Sequence, residues 1–123
     1  MTQEEKQLLL KDLCARLPYG VKYCRDSWNY EWDQEMSVVE VLEDIDKDGY
    51  INYRKVYKVW DIKPYLRPLS SMTEEEKTEL FQLMGNGTDI QRIDFYLSHY
   101  FDFRCLIPMG LALEAKEGMY KID

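Results

Sequence analysis

The run Asp44-Ile45-Asp46-Lys47-Asp48-Gly49-Tyr50-Ile51-Asn52 carries the residue types of a calcium loop at calcium-loop spacing. An EF-hand loop takes oxygen ligands at positions 1, 3 and 5, a Gly at 6 and a bidentate Glu at 12. Asp44, Asp46 and Asp48 fill the first three places, and Gly49 falls at the sixth. Ile51 stands at the apolar eighth position and Asn52 supplies a further oxygen. The twelfth position is Lys55, a cation where the site needs an anion. Losing that ligand lowers charge and coordination number together, so calcium held by Asp44, Asp46, Asp48 and Asn52 would be held weakly. EF-hands also pair, and the chain has no second such loop. The competing reading is an acidic β-turn, in which short Asp side chains accept hydrogen bonds from local backbone and Gly49 supplies a positive φ.

Three other groups carry reactive or recognition chemistry. His99, Asp102 and Cys105 are three residues apart, a spacing that on one helix face suits a metal or a Cys–His nucleophile. His99 is the chain's one histidine, and Asp102 reads better as the cap of a short helical turn beginning near Phe103. Glu74-Glu75-Glu76 is a cluster of carboxylates, but it stands where a helix starts and is stabilised there by the helix dipole. Lys63 and Arg67 flank Tyr65 within Lys63-Pro64-Tyr65-Leu66-Arg67-Pro68. With Trp28, Tyr30, Trp32 and Trp60 they form the expected partner-binding surface, since aromatic and Arg side chains dominate interfaces. Against this stands a structural corner in which Tyr65 and Leu66 pack on a sheet. No phosphate loop, Gly-x-Ser-x-Gly, zincin His pair or dinucleotide fingerprint is present, so no catalytic residue is assigned and an enzyme is not expected.

The elements that must position these groups follow from periodicity and punctuation. Thr2 with Glu5 has capping-box spacing, and a helix runs from there to about Arg16 with Leu8, Leu9, Leu10, Leu13 and Cys14 as its apolar stripe. Pro18-Tyr19-Gly20 ends it. Val21–Cys24 is a short strand, and residues 25–32 form a loop. Around Ser37–Ile45, Met36, Val39 and Leu42 stand at the spacing of a helix entering the calcium loop, but alternation and valine enrichment favour a strand. Tyr50–Trp60 is again β-branched and aromatic, so the two read as strands joined across Asp48-Gly49. Glu31–Asp48 holds eight acids and one base, and Arg54–Arg67 five bases and one acid, a charge asymmetry that favours pairing of the two arms. Lys63–Pro68 is an extended connector. Thr73 with Glu76 opens a second helix to about Met84, with Leu80, Phe81, Leu83 and Met84 inward. Thr88 or Asp89 caps a third, whose apolar face is Ile90, Ile93, Leu97, Tyr100 and Phe101. Arg104–Met109 is a helical turn with Gly110 as its C-terminal cap, and Leu111–Glu114 closes the fold as a short strand.

The totals bound the rest. The 123 residues suit one domain with a proper core. Hydrophobic residues are 46% and charged residues 32%, a globular rather than disordered balance. The net charge of −7 disfavours a phosphate-backbone binder. Cys14, Cys24 and Cys105 are odd in number and widely spaced, which points to free thiols in a reducing cytoplasm. The polar start Met1-Thr2-Gln3-Glu4-Glu5-Lys6 has no secretory pattern, and no apolar run is long enough to span a membrane.

Several stretches together resemble a family of small uncharacterised proteins from gut-dwelling bacteria and their phage-like or mobile elements. They are residues 1–13 with Leu17-Pro18-Tyr19-Gly20-Val21, then Ile62–Thr73, Tyr96-Leu97 through His99, Phe101-Asp102, Gly110-Leu111-Ala112 and Gly118-Met119-Tyr120. The resemblance spans nearly the whole chain, and Lys63–Pro68 is its most specific part. It implies no activity and no catalytic residues. It implies that the segment between Gly20 and Ile62 is variable and strand-like, without a fixed Asp-x-Asp-x-Asp-Gly.

The expected fold is therefore α+β: an N-terminal helix over 1–19, a small twisted antiparallel sheet over 20–68 that could take the form of an SH3-like half-barrel, and a helical half over 69–123. The expected function is a cytoplasmic, non-enzymatic protein-interaction or accessory module with a protein partner. The alternative is weak calcium binding through the incomplete loop at 44–55.

Overall fold

Among the described residues, three threonines start α-helices by the same exchange of hydrogen bonds. Thr2 Oγ1 accepts from the Glu5 N–H at 3.1 Å, while Glu5 Oε1 accepts from the Thr2 N–H at 2.8 Å. This opens α1, Gln3–Arg16. Thr73 with Glu76 opens α2, Glu74–Asn86, and Thr88 with Gln91 opens α3, Asp89–Ser98. Each box satisfies two N–H groups that a helix start leaves without partners. The computed structural model describes residues 2–25, 38–42, 44–46, 48, 50–51, 54–58 and 62–120. None of these helices is long and apolar enough to cross a membrane.

Helix α1 buries Leu9, Asp12, Leu13 and Arg16, the i, i+3, i+4, i+7 positions of one face. Cys14, expected in the core, is exposed. The helix is turned so that an ion pair shares the buried face with the leucines. Arg16 donates from Nε to Asp12 Oδ2 at 2.7 Å and from Nη2 to the Phe101 carbonyl at 2.7 Å. Arg104 Nε donates to Asp12 Oδ1 at 3.1 Å. Pro18 then converts the chain to a 3-10 turn, Leu17–Tyr19, and Gly20 follows at φ 71, a left-handed conformation that costs a residue with a Cβ about 1–2 kcal/mol.

The strands form an α+β arrangement with an open four-stranded sheet and a separate two-stranded ribbon. They are β1 (Lys22–Arg25), β2 (Val38–Val41), β3 (Tyr50–Ile51), β4 (Arg54–Lys58), β5 (Ile62–Leu66) and β6 (Leu113–Glu114). The sheet runs β2-β1-β5-β6. β1 lies antiparallel to both neighbours, and β6 joins β5 in parallel, so the sheet is mixed where an antiparallel one was expected. Of the expected Lys63–Pro68 connector, residues 63–66 lie in the interior strand β5 and Arg67 adds an isolated bridge to Phe101. β1 pairs with residues 62–64 of β5 and β6 with residues 65–66. Proline has no N–H to give a ladder, and here it falls where the pairing passes from one neighbour to the other.

The two strands expected to pair across Asp48-Gly49 take other partners. β2 lies on β1, with Lys22 opposite Val41 and Arg25 opposite Val38, and Leu42 N–H extends the ladder to the Val21 carbonyl at 2.8 Å. β3 pairs with β4 instead, Ile51 opposite Arg54. Among the described residues, the acidic turn is crossed by a bridge from Ile45 to Ile51 and by the Asp46 N–H to Tyr50 carbonyl bond at 2.9 Å. β1 is a better mate for β2 because it sits inside the sheet, where Val21 and Tyr23 are wholly buried and packing rewards the pairing.

Two further stops shape the C-terminal half. Gly110 N–H donates to the Ile107 carbonyl and Leu111 N–H to the Leu106 carbonyl, with Gly110 at φ 77. This is a Schellman motif on a short turn capped by Asp102. α3 ends the same way, through Tyr100 to Leu97 and Phe101 to Tyr96, but Tyr100 takes the left-handed position at φ 64. After β6, Tyr120 fastens the chain to the sheet. Its hydroxyl accepts from the Lys22 N–H at 2.8 Å and donates to the Tyr65 carbonyl at 2.8 Å. Its ring stacks on Tyr100 at 3.8 Å. Burial pushes its phenol above the ordinary range. Tyr120→Phe keeps the ring and leaves two sheet groups without that partner, so chemical denaturation should show a loss of about 2 kcal/mol, while an unchanged midpoint would refute the clasp.

Candidate functional site

The residues expected to meet a partner divide into three groups. Trp28, Tyr30, Trp32 and Trp60 lie outside the described residues, as do Gly49 and Asn52 of the acidic turn. Tyr65 and Arg67 are buried, at 4% and 8% exposure. Lys63 is half-buried opposite Cys24. The Lys63–Pro68 stretch thus builds the centre of the fold. Burial, with Cys24 beside it, pushes the Tyr65 phenol up to about 12.

Arg67 is the hub of that centre. Its Nη1 and Nη2 donate to Glu76 Oε2 and Oε1 at 2.7 and 2.8 Å, a bidentate pair. The same nitrogens reach the His99 and Ser71 carbonyls at 3.2 Å, and the guanidinium lies 4.3 Å from the Phe101 ring centroid. Glu76 Oε1 also accepts from the Thr73 N–H, and Oε2 lies 2.7 Å from His99 Nδ1. Burial alone would raise the Glu76 pKa. The hydrogen bonds from Arg67, Thr73 and His99 outweigh it and hold the carboxyl at about 2. A carboxylate with both oxygens doubly engaged and its proton affinity lowered is a poor general base. The Glu74–Glu76 cluster therefore splits, with Glu74 and Glu75 exposed on the first turn and Glu76 turned inward.

His99, Asp102 and Cys105 are not brought together for chemistry. His99 faces Glu76. Asp102 accepts from the Leu106 and Ile107 N–H groups at 2.8 and 2.9 Å, the capping role its type suggests. Cys105 is exposed. In the acidic turn, Asp46 Oδ1 accepts from the Asp48 and Tyr50 N–H groups at 3.0 Å, and Asp44 Oδ1 from the Ile45 N–H at 2.8 Å. These are bonds of an Asx turn. Among the described residues no group of three His, Cys, Asp or Glu side chains is placed to hold a metal ion.

Two clefts open beside the hub. One of about 370 Å³ is lined by Arg67, Ser71, residues 114–118 and Tyr120. The other, of about 230 Å³, lies between Pro68, Leu69, Cys105 and Pro108, with Asp102 at its wall. Of the charged groups that line them, Arg67 and Asp102 are already committed to Glu76 and to backbone N–H groups, while Glu114, Lys116 and Glu117 of the first cleft are exposed.

The helices of the C-terminal half also expose apolar surface. Helix α2 turns Glu76, Leu80 and Leu83 toward the body and leaves Phe81 79% and Met84 65% exposed. α3 buries Phe95 and Leu97 and leaves Ile90 72% and Ile93 43% exposed. All four had been expected inward. Phe81 and Met84 lie in the last two turns of α2, and Ile90 and Ile93 in the first two turns of α3. Only Gly87 and Thr88 separate the helices, so the four share the far end of a helical hairpin. Its near end is pinned by Glu76 and His99. Arg92 braces the far end, donating from Nη1 to the Leu83 and Gly87 carbonyls at 3.0 and 3.1 Å and from Nη2 to Asp89. The sequence held one signal of this. Leu80-Phe81 and Leu83-Met84 make two adjacent apolar stripes, more than one helix contact can bury.

No protein family, curated protein or solved structure matches this chain.

The hub gives a pH prediction. Glu76 has a lowered pKa in the fold, so its stabilisation is complete above about 4.5 and is lost as pH falls toward about 2. Glu76→Gln should cost about 3 kcal/mol at neutral pH, because it leaves Arg67 buried and unpaired. The stability gap between the two proteins, followed by denaturation across that acid range, should narrow as pH falls. A gap independent of pH would show that Glu76 is not the ionised partner.

Proposed function

We propose that this chain is a non-enzymatic protein-interaction module of the cytoplasm, and that it docks its partner through the far end of the α2–α3 hairpin. The observation that carries this is the exposure of Phe81, Met84, Ile90 and Ile93 together at one end of a braced hairpin. A large apolar side chain standing alone on a surface needs no explanation, but four sharing one end of an element mark a contact site. A rigid support favours docking, because little order is then lost on binding. The engagement of Arg67 with Glu76 and of Asp102 with backbone N–H groups in holding the fold supports a role without catalysis. Free thiols at Cys14, Cys24 and Cys105 suit a reducing compartment. The reading keeps the accessory role suggested by the sequence and moves its surface from the tryptophans to the hairpin.

Phe81→Ser with Ile90→Ser should leave the folding midpoint within about 0.5 kcal/mol per site. It should also abolish cross-linking to partner from a photoreactive residue placed at Met84. A loss of several kcal/mol would make these side chains core and end the proposal.

The alternative, weak calcium binding through Asp44, Asp46, Asp48 and Asn52, predicts a calcium-dependent rise in melting temperature that Asp46→Asn abolishes. The interaction reading predicts no rise at millimolar calcium. It also predicts near-normal stability for Asp46→Asn, since an Asn side-chain oxygen accepts the same two backbone bonds.

A further inference from the structure

We infer that the occupant of this surface is a basic amphipathic helix of another protein, an inference that rests on the docking reading above. The shape argument comes first. Two helices joined by two residues present outward apolar residues from both, Phe81 and Met84 three apart on α2, Ile90 and Ile93 three apart on α3. Residues three apart share a helix face. The arrangement is that of a helical bundle with one member missing, and an amphipathic helix fills it with its i, i+3, i+4, i+7 residues. α2 has 13 residues, about 20 Å at 1.5 Å each, so an occupant of about four turns matches the hairpin's length.

Charge then chooses among occupants. The hairpin exposes five carboxylates, Glu74, Glu75, Glu79, Asp89 and Asp94, against one exposed ammonium, Lys77. Asp89 and Asp94 precede and follow the isoleucines by one residue each, which at about 100° per residue places one on either side of their stripe. Glu74 continues the Phe81 stripe two turns back and is bonded to Lys77 at 3.3 Å. Arg92 is half-buried and engaged with carbonyl oxygens and with Asp89, and His99 Nε2 lies 3.7 Å from Glu79, which leaves Glu75 and Asp94 as the exposed carboxylates with no such basic neighbour among these pairs. A second copy of this chain would set the same carboxylates face to face, each copy carrying −7, and like charges across an interface oppose it. Anionic lipid and nucleic acid are disfavoured by the same sign. A helix with an apolar stripe edged by Lys or Arg satisfies both requirements, and its association should quicken at low salt.

The test uses the whole chain and three labelled peptides of about 18 residues, long enough to cover the hairpin. One is a Leu/Lys helix with an apolar stripe, one the same helix with Glu for Lys, and one a scramble of the first. Amide NMR should show the Leu/Lys helix shifting residues 78–94 and leaving residues 116–120 unmoved. Phe81→Ser with Ile90→Ser should weaken it at least tenfold, the loss of a hot spot. Glu74→Lys with Asp94→Lys should weaken it about threefold or more and flatten its salt dependence. Equal binding of the Glu helix overturns the charge argument, and equal binding of the scramble overturns the stripe. A dimer in sedimentation that the double serine variant dissolves makes the occupant a second copy. Recovery of the chain on phosphatidylcholine–phosphatidylserine vesicles makes it lipid. If all peptides fail while cross-linking from position 84 persists, the helix is wrong and the docking surface stands. If both fail, both fall.

Discussion

The fold hangs on the guanidinium of Arg67. Its backbone takes the Tyr100 carbonyl at 2.7 Å and gives its own carbonyl to the Asp102 N–H at 2.8 Å. Its side chain seizes Glu76 at the start of α2 and reaches His99 at the end of α3. One residue at the end of a central strand thereby fixes where both C-terminal helices meet the sheet. Such a pair is not a large source of net stability. Removing two charges from water costs about as much as their attraction returns, whereas breaking the pair leaves a buried charge and costs about 3–5 kcal/mol. Its effect is selective, since alternative packings that separate Arg67 from Glu76 are penalised. Asp12 with Arg16 and Arg104 does the same for α1 against the Phe101 turn.

Local signals in the sequence carried far. The capping threonines, the Pro18–Gly20 stop, the Asp102 cap, the Gly110 stop and the closing strand are all set by side-chain chemistry within a few residues, and each is legible there. What the sequence hid was long-range. That β2 lies on β1 and not across the acidic turn depends on burial of Val21 and Tyr23 by α1 and β5. That residues 63–66 lie in an interior strand depends on β6 joining β5 from beyond both C-terminal helices. Proline rules say edge or connector, and only the division of β5 between two neighbours lets Pro64 sit inside. Tyr100 is a parallel case. A helix end with a left-handed C′ residue usually signals Gly. Here about 1–2 kcal/mol of backbone strain is offset by the hydroxyl bond to Tyr19 and the stack on Tyr120.

The outward turn of Phe81 and Met84 was hidden in the sequence for a related reason. Periodicity locates an apolar stripe on a helix but does not say which of two stripes turns inward. On α2 the stripe through Leu80 and Leu83 and the stripe through Phe81 and Met84 are one residue apart. A rotation of about 100° exchanges them. By apolar area alone the second stripe has the better claim to the core, since Phe and Met bury at least as much surface as two leucines.

Glu76 decides between them. It lies four residues before Leu80 and seven before Leu83, so the stripe that carries it turns inward when Arg67 holds it. The competing stripe carries Lys77 at the corresponding position. Turning that one inward would set an ammonium beside the Arg67 guanidinium and strand Glu76 in solvent, leaving a buried cation without a counter-charge. The ion pair at the near end of the hairpin thus dictates that Phe81 and Met84 emerge at its far end. The buried hub and the exposed apolar face are two consequences of one choice of helix rotation. A chain that kept Arg67 and Glu76 but needed no partner would gain solubility by replacing Phe81 and Met84 with polar residues at no cost to the hub. Their exposure beside an intact hub is the physical reason to propose the far end of the hairpin as a site.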